Sequence, residues 1–206
     1  MKTVKIFLRW RKNLDKISKA IKFAVKAHDG QKRKITGIPS VLHSLEAASI
    51  VAYMTSDEDV ICASVLHDVA EDTKYALKDI EKRFGKRVAY LVSSETENKR
   101  SSLAPETTWK IRKEETLAHL RQTTDKNVKT LWLGDKLSNV RSIYNEYLTV
   151  GDDIWKNFHV KDKNLHKWYY ESVAEILKKD FADSPFFCEY ERLVNKIFKK
   201  EQRNEQ

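Results

Sequence analysis

The sequence predicts an all-α fold, a helical bundle in which residues 1–206 form a single domain. Glycine and proline are scarce, at 5 and 3 in 206 residues, which disfavours the hairpins and tight turns of a β-rich chain. Apolar residues recur three and four positions apart in successive segments, and this is the spacing of a helix with one buried face. The connections between these segments are short and polar, as is common in helical proteins.

The predicted helices have recognisable ends. Asn13 can cap a first helix that ends near Gly30, and Ser56 or Asp57 can cap the third. Gly85 can stop the fourth, and Pro105 stands at the favoured first position of the sixth. The predicted helices, in order, span residues 14–30, 41–54, 57–68, 73–84, 88–92, 105–117, 127–147, 164–179 and 185–200.

Two further regions differ in character from the helices around them. Residues 93–104 are polar and irregular, so we predict a mobile loop at an active site there. Beyond Gly151 the chain is rich in Trp, Tyr and Phe. We predict that residues 151–200 pack on a body formed by residues 14–150 and do not form a second domain.

Charge and cysteine content narrow the class of protein. Lys and Arg number 39 against 30 Asp and Glu, a net charge of +9, which favours a polyanionic partner such as a phosphorylated nucleotide, nucleic acid or an acidic membrane surface. Cys62 and Cys188 match no metal-binding spacing and do not suggest a disulfide scaffold. No apolar run is long enough for a membrane span, or for a signal peptide at Met1–Trp10. We therefore expect a cytoplasmic protein.

The most informative stretch of the chain is His67-Asp68-Val69-Ala70-Glu71-Asp72, at the end of the third predicted helix. If this stretch is helical, His67 shares a face with Glu71, and Asp68 with Asp72, because residues four apart lie one turn apart. A pair of metal ligands would then stand beside a pair of carboxylates. Metal-assisted hydrolysis of a phosphoester requires that combination.

Two other segments can supply further ligands. His43 begins an apolar helical stretch, and Asp135 and Asn139 lie four residues apart in another, so that they face the same way. Two imidazoles and two carboxylates suit a borderline divalent ion such as Mn²⁺ or Fe²⁺ better than Mg²⁺, Ca²⁺ or Zn²⁺. Four protein ligands on an octahedral ion leave room for water and substrate.

Five separated blocks of residues agree, in order, with one known family. The blocks lie within residues 27–34, 36–43, 66–73, 84–88 and 135–141. They resemble the hydrolase domain of the RelA/SpoT-type alarmone enzymes over about residues 14–150, and the single-domain small alarmone hydrolases look closest. A generic HD phosphohydrolase would share only the His…His-Asp…Asp skeleton and not the block Gly30-Gln31-Lys32-Arg33-Lys34.

The resemblance implies a helical bundle of the HD phosphohydrolase type, one Mn²⁺ ion, and removal of the 3′-pyrophosphate from ppGpp or pppGpp to give GDP or GTP. The family's metal ligands fall on His43, His67, Asp68 and Asp135. Its catalytic carboxylates fall on Glu71 and Asp72. Its nucleotide-contacting residues fall on Arg33, Lys34, Asn139 and Arg141.

The sequence departs from the family pattern at two places. Ser40 stands where the family often has Tyr, and Gly134-Asp135-Lys136-Leu137-Ser138-Asn139 replaces Ala-Asp-Arg-Leu-His-Asn. Neither change removes a ligand or a catalytic carboxylate, so the departures bear on which nucleotide is bound. The long alarmone enzymes also carry a synthetase domain, for which the segment after Gly151 is too short. We therefore expect degradation only.

Two other hypotheses fit parts of the sequence. An HD phosphohydrolase that acts on another nucleotide, such as an adenine alarmone or NADPH, would use the same ligands. A non-catalytic basic module that binds nucleic acid would account for the charge of +9, but it would not require the His-Asp-Glu-Asp constellation. The basic loop with Arg33 and Lys34 could also be plain solvated surface. We expect a small nucleotide as the substrate, and neither nucleic acid nor a membrane as a partner.

Overall fold

The structure is a computed structural model that describes residues 2–34, 36–100 and 102–198, with side chains from Asp15 onward. Helices and loops make up these residues, which confirms the predicted all-α class. A 3-10 helix at Gly151–Asn157 lies between the helices Lys126–Val150 and Lys163–Phe181. The α-helices in chain order are α1 (Lys2–Ala27), α2 (Val41–Met54), α3 (Glu58–Leu66), α4 (Val69–Asp72), α5 (Leu77–Phe84), α6 (Lys86–Ser93), α7 (Pro105–Gln122), α8 (Lys126–Val150), α9 (Lys163–Phe181) and α10 (Pro185–Phe198).

Aspartate side chains begin three of these helices. Asp57, Asp125 and Asp162 each accept a hydrogen bond from the backbone N–H two residues later, at 3.0, 2.9 and 2.8 Å. Such a cap satisfies one of the N–H groups that a helix leaves without a partner in its first turn. Asp57 is one of the two caps predicted for α3, and it sets where that helix begins.

The prediction for α1 was wrong at its start. This helix begins at Lys2, and Asn13 lies within it instead of capping it. The residues from Lys2 to Lys12 include no glycine or proline, so nothing in them interrupts a helix.

The first of two compact units consists of residues 2–31, residues 39–96 and residues 130–135. α3 lies at its centre, where it contacts α1, α2 and α6, and all its residues from Val60 to Leu66 are buried. Cys62 is part of this core, and burial raises the pKa of its thiol to about 12. Cys62 thus acts as a small hydrophobe in this core.

α2 buries part of the face that its apolar spacing predicts, which consists of Leu42, Leu45, Ala48 and Val51. Ala48 and Val51 are buried as predicted. The prediction was wrong for Leu42, because 48% of its surface is exposed.

Among the described residues, the second unit consists of residues 32–34, 36–38, 97–100, 102–129 and 136–198. Its core is aromatic: the ring of Trp155 stacks on His166 and on Phe198 at centroid distances of 5.0 and 5.3 Å. Tyr169 and Tyr170 are buried as well, so these aromatic residues of α9 belong to the core of the second unit.

The single-domain organisation of the whole chain stays a prediction. No helix among the described residues has both the length and the apolar character needed to cross a membrane.

Candidate metal centre and active site

The four predicted metal ligands come from three helices, and all four residues belong to the first unit. His43 lies in the first turn of α2, His67 at the C-terminal end of α3, Asp68 immediately after it, and Asp135 in the middle of α8. His43, His67 and Asp135 are each only 4% exposed, and Asp68 is half-buried. The fold therefore brings together residues that are far apart in the sequence.

The two imidazoles and two carboxylates converge through a small set of atoms. His43 Nε2 lies 2.9 Å from Asp135 Oδ1 and 3.2 Å from His67 Nε2. His67 Nε2 lies 3.3 Å from Asp68 Oδ1 and 3.5 Å from Asp135 Oδ1. Asp68 Oδ2 is 3.8 Å from His43 Nε2. Two nitrogens and the carboxylate oxygens thus face a common point.

A backbone contact orients the ring of His67. Its Nδ1 lies 2.8 Å from the carbonyl oxygen of Ser64. Because a carbonyl oxygen can only accept, Nδ1 must carry the proton and donate. In the neutral ring Nε2 then keeps its lone pair directed at Asp68 and Asp135, as a metal-binding histidine requires.

The protonation equilibria of the site show how closely these groups interact. Burial acts to lower the pKa of His67, but Asp68 and Asp135 outweigh it, so the pKa lies well above its ordinary value. Burial acts to raise the pKa of Asp68, but His67 and His43 outweigh it, and the pKa is lowered. The charges of His67 and Asp68 therefore stabilise each other across a short distance inside the site.

The donor set fits a divalent metal ion. One donor atom each of His43, His67 and Asp135 lies within 4.8 Å of the others, and the carboxylate of Asp68 adds to them. Buried carboxylates without a counter-charge are costly, and imidazole with carboxylate suits first-row divalent ions. The cluster of His43, His67, Asp68 and Asp135, called the metal cluster below, is therefore a candidate divalent metal site.

A glycine allows two of the ligand-bearing helices to approach each other. A Cβ atom added to Gly134 would lie 2.6 Å from Val51 Cγ2 and 3.0 Å from the carbonyl oxygen of Ala47. Gly134 precedes Asp135 in α8, and Ala47 lies one turn after His43 in α2. Sequence analysis did not assign this role to Gly134, although a glycine inside a helical pattern is a recognised signal of close packing.

The predicted catalytic carboxylates lie on the single turn that follows Asp68. This turn is α4, and the N–H of Asp72 donates to the carbonyl of Asp68 at 2.8 Å, which gives the i, i+4 geometry predicted for that pair. Glu71 is half-buried and Asp72 is exposed. Both residues therefore lie within one turn of a metal-cluster residue.

The four predicted nucleotide-binding residues belong to the second unit, and each has a partner there. Arg33 donates to Asn139 Oδ1 at 2.6 Å, Lys34 Nζ lies 2.5 Å from His159 Nε2, and Arg141 forms two hydrogen bonds to Glu189, at 2.7 and 2.8 Å. The structure thus joins two of the predicted residues, Arg33 and Asn139. His159 and Glu189 were not predicted as partners of these residues, because no recognisable spacing marks them in the sequence.

Comparison with known proteins gives a family for most of the chain. Residues 20–158 match the HD domain family. A guanosine-3′,5′-bis(diphosphate) 3′-pyrophosphohydrolase of Aquifex aeolicus is 34% identical over 140 residues, which are 68% of this chain and 19% of that protein. A GTP pyrophosphokinase of Myxococcus xanthus is 32% identical over 133 residues, 64% of this chain and 17% of that protein. The chain thus spans less than a fifth of the length of these two curated relatives.

Two solved structures resemble the fold over most of its length. A metazoan ortholog of SpoT, described as hydrolysing ppGpp, has a TM-score of 0.69 at 24% identity and covers 88% of this chain and 94% of its own. A Listeria monocytogenes protein has a TM-score of 0.66 at 36% identity and covers 77% of this chain and 99% of its own. These likenesses confirm the helical fold of the HD type.

Proposed function

Because the chain belongs to the HD domain family, we propose that it is a metal-dependent hydrolase that removes the 3′-pyrophosphate of ppGpp or pppGpp. The observation that carries the proposal is the buried metal cluster, in which two imidazoles and a carboxylate come within 4.8 Å of one another. The resemblance of the sequence blocks to RelA/SpoT-type hydrolase domains and the name of the Aquifex aeolicus relative support the substrate.

We propose Mn²⁺ as the ion, held by His43, His67, Asp68 and Asp135. A divalent ion there would polarise a phosphoryl oxygen of the substrate, and it would make water a better nucleophile at neutral pH. The mixture of nitrogen and oxygen donors favours Mn²⁺ over Mg²⁺, which prefers oxygen ligands and keeps much of its own hydration.

In the proposed reaction, water attacks the phosphorus atom bound to the 3′ oxygen. The bond between that phosphorus atom and the 3′ oxygen breaks, and the released 3′ oxygen takes up a proton from solvent. The products are GDP or GTP and pyrophosphate. Glu71 and Asp72 orient the water and accept its proton, since a carboxylate at this position can act as a general base.

Arg33, Lys34, Asn139 and Arg141 are proposed to hold the nucleotide. A guanidinium can pair with phosphate through two N–H groups or stack on a purine, and the ammonium of Lys34 adds positive charge. Arg141 would take part only when its ion pair with Glu189 opens. The net charge of +9 favours encounter with a polyanionic nucleotide.

We also propose a cytoplasmic location, which rests on the cysteine content of the sequence.

The test is a nucleotide panel with purified protein and Mn²⁺, in which released pyrophosphate and released phosphate are measured separately. We expect pyrophosphate and GDP from ppGpp, with loss of turnover on chelation. Phosphate from NADPH with ppGpp untouched would support an HD hydrolase of another substrate. No turnover of any nucleotide, together with retention on RNA or DNA, would support a binding module.

Two variants control this experiment. His67→Ala should abolish turnover, because it removes an imidazole from the metal cluster. His119→Ala changes the same residue type at an exposed position of α7, and it should leave turnover unchanged. Equal loss in both variants would mean that the assay reports a general effect on the protein.

A further inference from the structure

Gln31 joins the end of α1 to the turn that carries the proposed catalytic carboxylates. Its side-chain Oε1 lies 2.8 Å from His28 Nδ1, and its Nε2 donates to the backbone carbonyl of Asp72 at 2.7 Å. All three residues belong to the first unit. Gln31 also belongs to the block Gly30-Gln31-Lys32-Arg33-Lys34, in which roles were predicted only for Arg33 and Lys34.

The hydrogen-bond chemistry fixes which way this amide faces. The carbonyl of Asp72 can only accept, so the NH₂ group of Gln31 must face it, and Oε1 must face His28. His28 Nδ1 then carries the proton and donates to Gln31. The side chain of His28 is held in place, because the residue is only 3% exposed. Its backbone N–H also donates to the Ala24 carbonyl of α1 at 2.9 Å. The ring of His28 is therefore a fixed support for the amide of Gln31.

The backbone of Gln31 connects the same point to α2. The N–H of Gln31 donates to the His28 carbonyl at 3.0 Å, and its own carbonyl accepts from the N–H of Ser40 at 2.9 Å. Ser40 directly precedes α2, and its carbonyl accepts from the N–H of His43 at 3.1 Å. One residue thus links the end of α1, the start of the helix that carries His43, and the end of α4.

α4 needs such support because it is short. It has four residues, and its backbone is held by Asp72 N–H to the Asp68 carbonyl at 2.8 Å and Thr73 N–H to the Val69 carbonyl at 3.2 Å. A single turn fixes several torsion angles for few hydrogen bonds and is not stable alone. Its last carbonyls have no partner within the helix, and Gln31 supplies one for Asp72.

We propose that Gln31, oriented by His28, is a positioning residue that holds α4 so that Glu71 and Asp72 are presented to the reacting water. The assignment of catalysis to these two carboxylates rests on the proposed function. Gln31 itself touches backbone and not substrate, so it acts through α4.

The kinetic test compares Gln31→Met with its matched control Gln122→Met, which makes the same change at an exposed position of α7. Loss of a supporting hydrogen bond around a metal site typically costs ~10–100-fold in activity. We expect such a fall in kcat for Gln31→Met, with KM and Mn²⁺ affinity within about twofold of the parent, and no change for Gln122→Met. Unchanged kcat in Gln31→Met would overturn the proposal.

Variants at His28 test whether its hydrogen bond to Gln31 is needed to orient the Gln31 amide. His28→Asn should retain most of kcat, because an asparagine amide can place an N–H donor close to where Nδ1 donates. His28→Leu should reproduce the kinetic defect of Gln31→Met. An equal loss of kcat in both His28 variants would show that the residue contributes only packing, and would overturn its part in the proposal.

Amide hydrogen exchange of Asp72 and Thr73 gives a readout that does not depend on turnover. In the metal-free protein we expect these two amides to exchange faster in Gln31→Met than in the parent, while amides of α3 keep their rates. Equal exchange rates would overturn the proposal even if the parent hydrolyses ppGpp. If the parent lacks that activity, the proposed function fails, but the exchange rates still decide whether Gln31 holds α4.

Gln31→Glu replaces Gln31→Met should the latter not fold. This variant keeps the shape of the side chain but turns a carboxylate toward the Asp72 carbonyl.

Discussion

At the scale of single residues, Glu71 tests the proposed chemistry most directly. It lies one turn after His67 on α4 and is half-buried. Glu71→Gln keeps the size of the side chain but removes its ability to accept a proton. We expect kcat to fall by ~10²–10⁴-fold, the usual cost of losing a general base, with a much smaller change in KM.

Steady-state kinetics at saturating Mn²⁺ check this expectation, and Asp72→Asn serves as the matched comparison. A comparable loss is expected there if the two carboxylates share one network. Near-normal turnover in Glu71→Gln beside an inactive Asp72→Asn would assign the base to Asp72. Activity in both variants would remove the role of α4 in catalysis.

Arg33 tests the proposed nucleotide contacts. Its guanidinium donates to Asn139 at 2.6 Å. Removal of the side chain therefore takes away a positive charge and also the hydrogen bond that Asn139 accepts. We expect Arg33→Ala to raise KM, by about 10-fold or more if a charge-assisted hydrogen bond to the nucleotide is lost, while the Mn²⁺ content stays unchanged. Unaltered kcat and KM would mean that the loop is solvated surface.

At the scale of helices, Gly134 sets the approach of α8 to α2. Alanine normally stabilises a helix interior over glycine by about 1 kcal/mol. Here its Cβ would lie 2.6 Å from Val51 Cγ2, so we expect Gly134→Ala to destabilise the protein by ~1–3 kcal/mol, the range for overpacked cores.

Chemical denaturation with and without Mn²⁺ checks this prediction. The apparent Mn²⁺ affinity should fall as well, because Asp135 and His43 lie on the two helices that are pushed apart. The double variant Gly134→Ala/Val51→Ala removes the closest clash and should recover part of the stability. A single variant that is more stable than the parent would contradict the close packing.

The segment between α6 and α7 was predicted to be a mobile loop, and Glu97 ties it to α7. Its carboxylate lies 2.7 Å from Arg112 Nη1 and 2.5 Å from Lys113 Nζ, and its side chain is only 9% exposed. Burial acts to raise the pKa of Glu97, but Lys113, Lys136 and Arg112 outweigh it, and the pKa is lowered.

The ionised Glu97 therefore stabilises the fold above its ordinary pKa of 4.5, and this contribution disappears as the pH falls through the lowered pKa. Glu97→Gln should cost about 1.5–3 kcal/mol at neutral pH, the range for hydrogen bonds to charged groups. The difference from the parent should shrink in acid. Glu115→Gln breaks the more exposed Arg100–Glu115 pair and should have little effect. Unfolding free energies measured between pH 3 and 7 decide between these outcomes.

At the scale of the whole molecule, metal binding should be visible in thermal stability. A ligand that binds only the folded state stabilises it by about 2.7 kcal/mol at 100 times its dissociation constant. We expect Mn²⁺ to raise the Tm more than Mg²⁺ does at equal concentration, and we expect Asp68→Ala to remove the increase. His119→Ala should retain it. An equal effect of Mg²⁺ would contradict the proposed ion, and an increase retained in Asp68→Ala would contradict the assigned ligand.

Local signals in the sequence predicted most helix boundaries. α2 spans Val41–Met54 as predicted, Asp57 caps α3, Pro105 begins α7 and Gly85 ends α5. These features follow from short-range effects, namely caps, proline and glycine geometry and the periodicity of apolar residues. The start of α1 was missed because a possible cap at Asn13 is no stop signal when helix-compatible residues precede it.

The sequence by itself determined the helical class, because the periodicity of apolar residues is a local signal. It also determined the residues that form the metal cluster, because the blocks that resemble the RelA/SpoT-type hydrolase domain contain His43, His67, Asp68 and Asp135. The tertiary structure decided which atoms face one another. The Ser64 carbonyl that orients His67, the clash that requires Gly134 and the bridge of Gln31 between His28 and Asp72 depend on distances between segments. Sequence spacing within one helix does not encode those distances, because they result from how the helices pack.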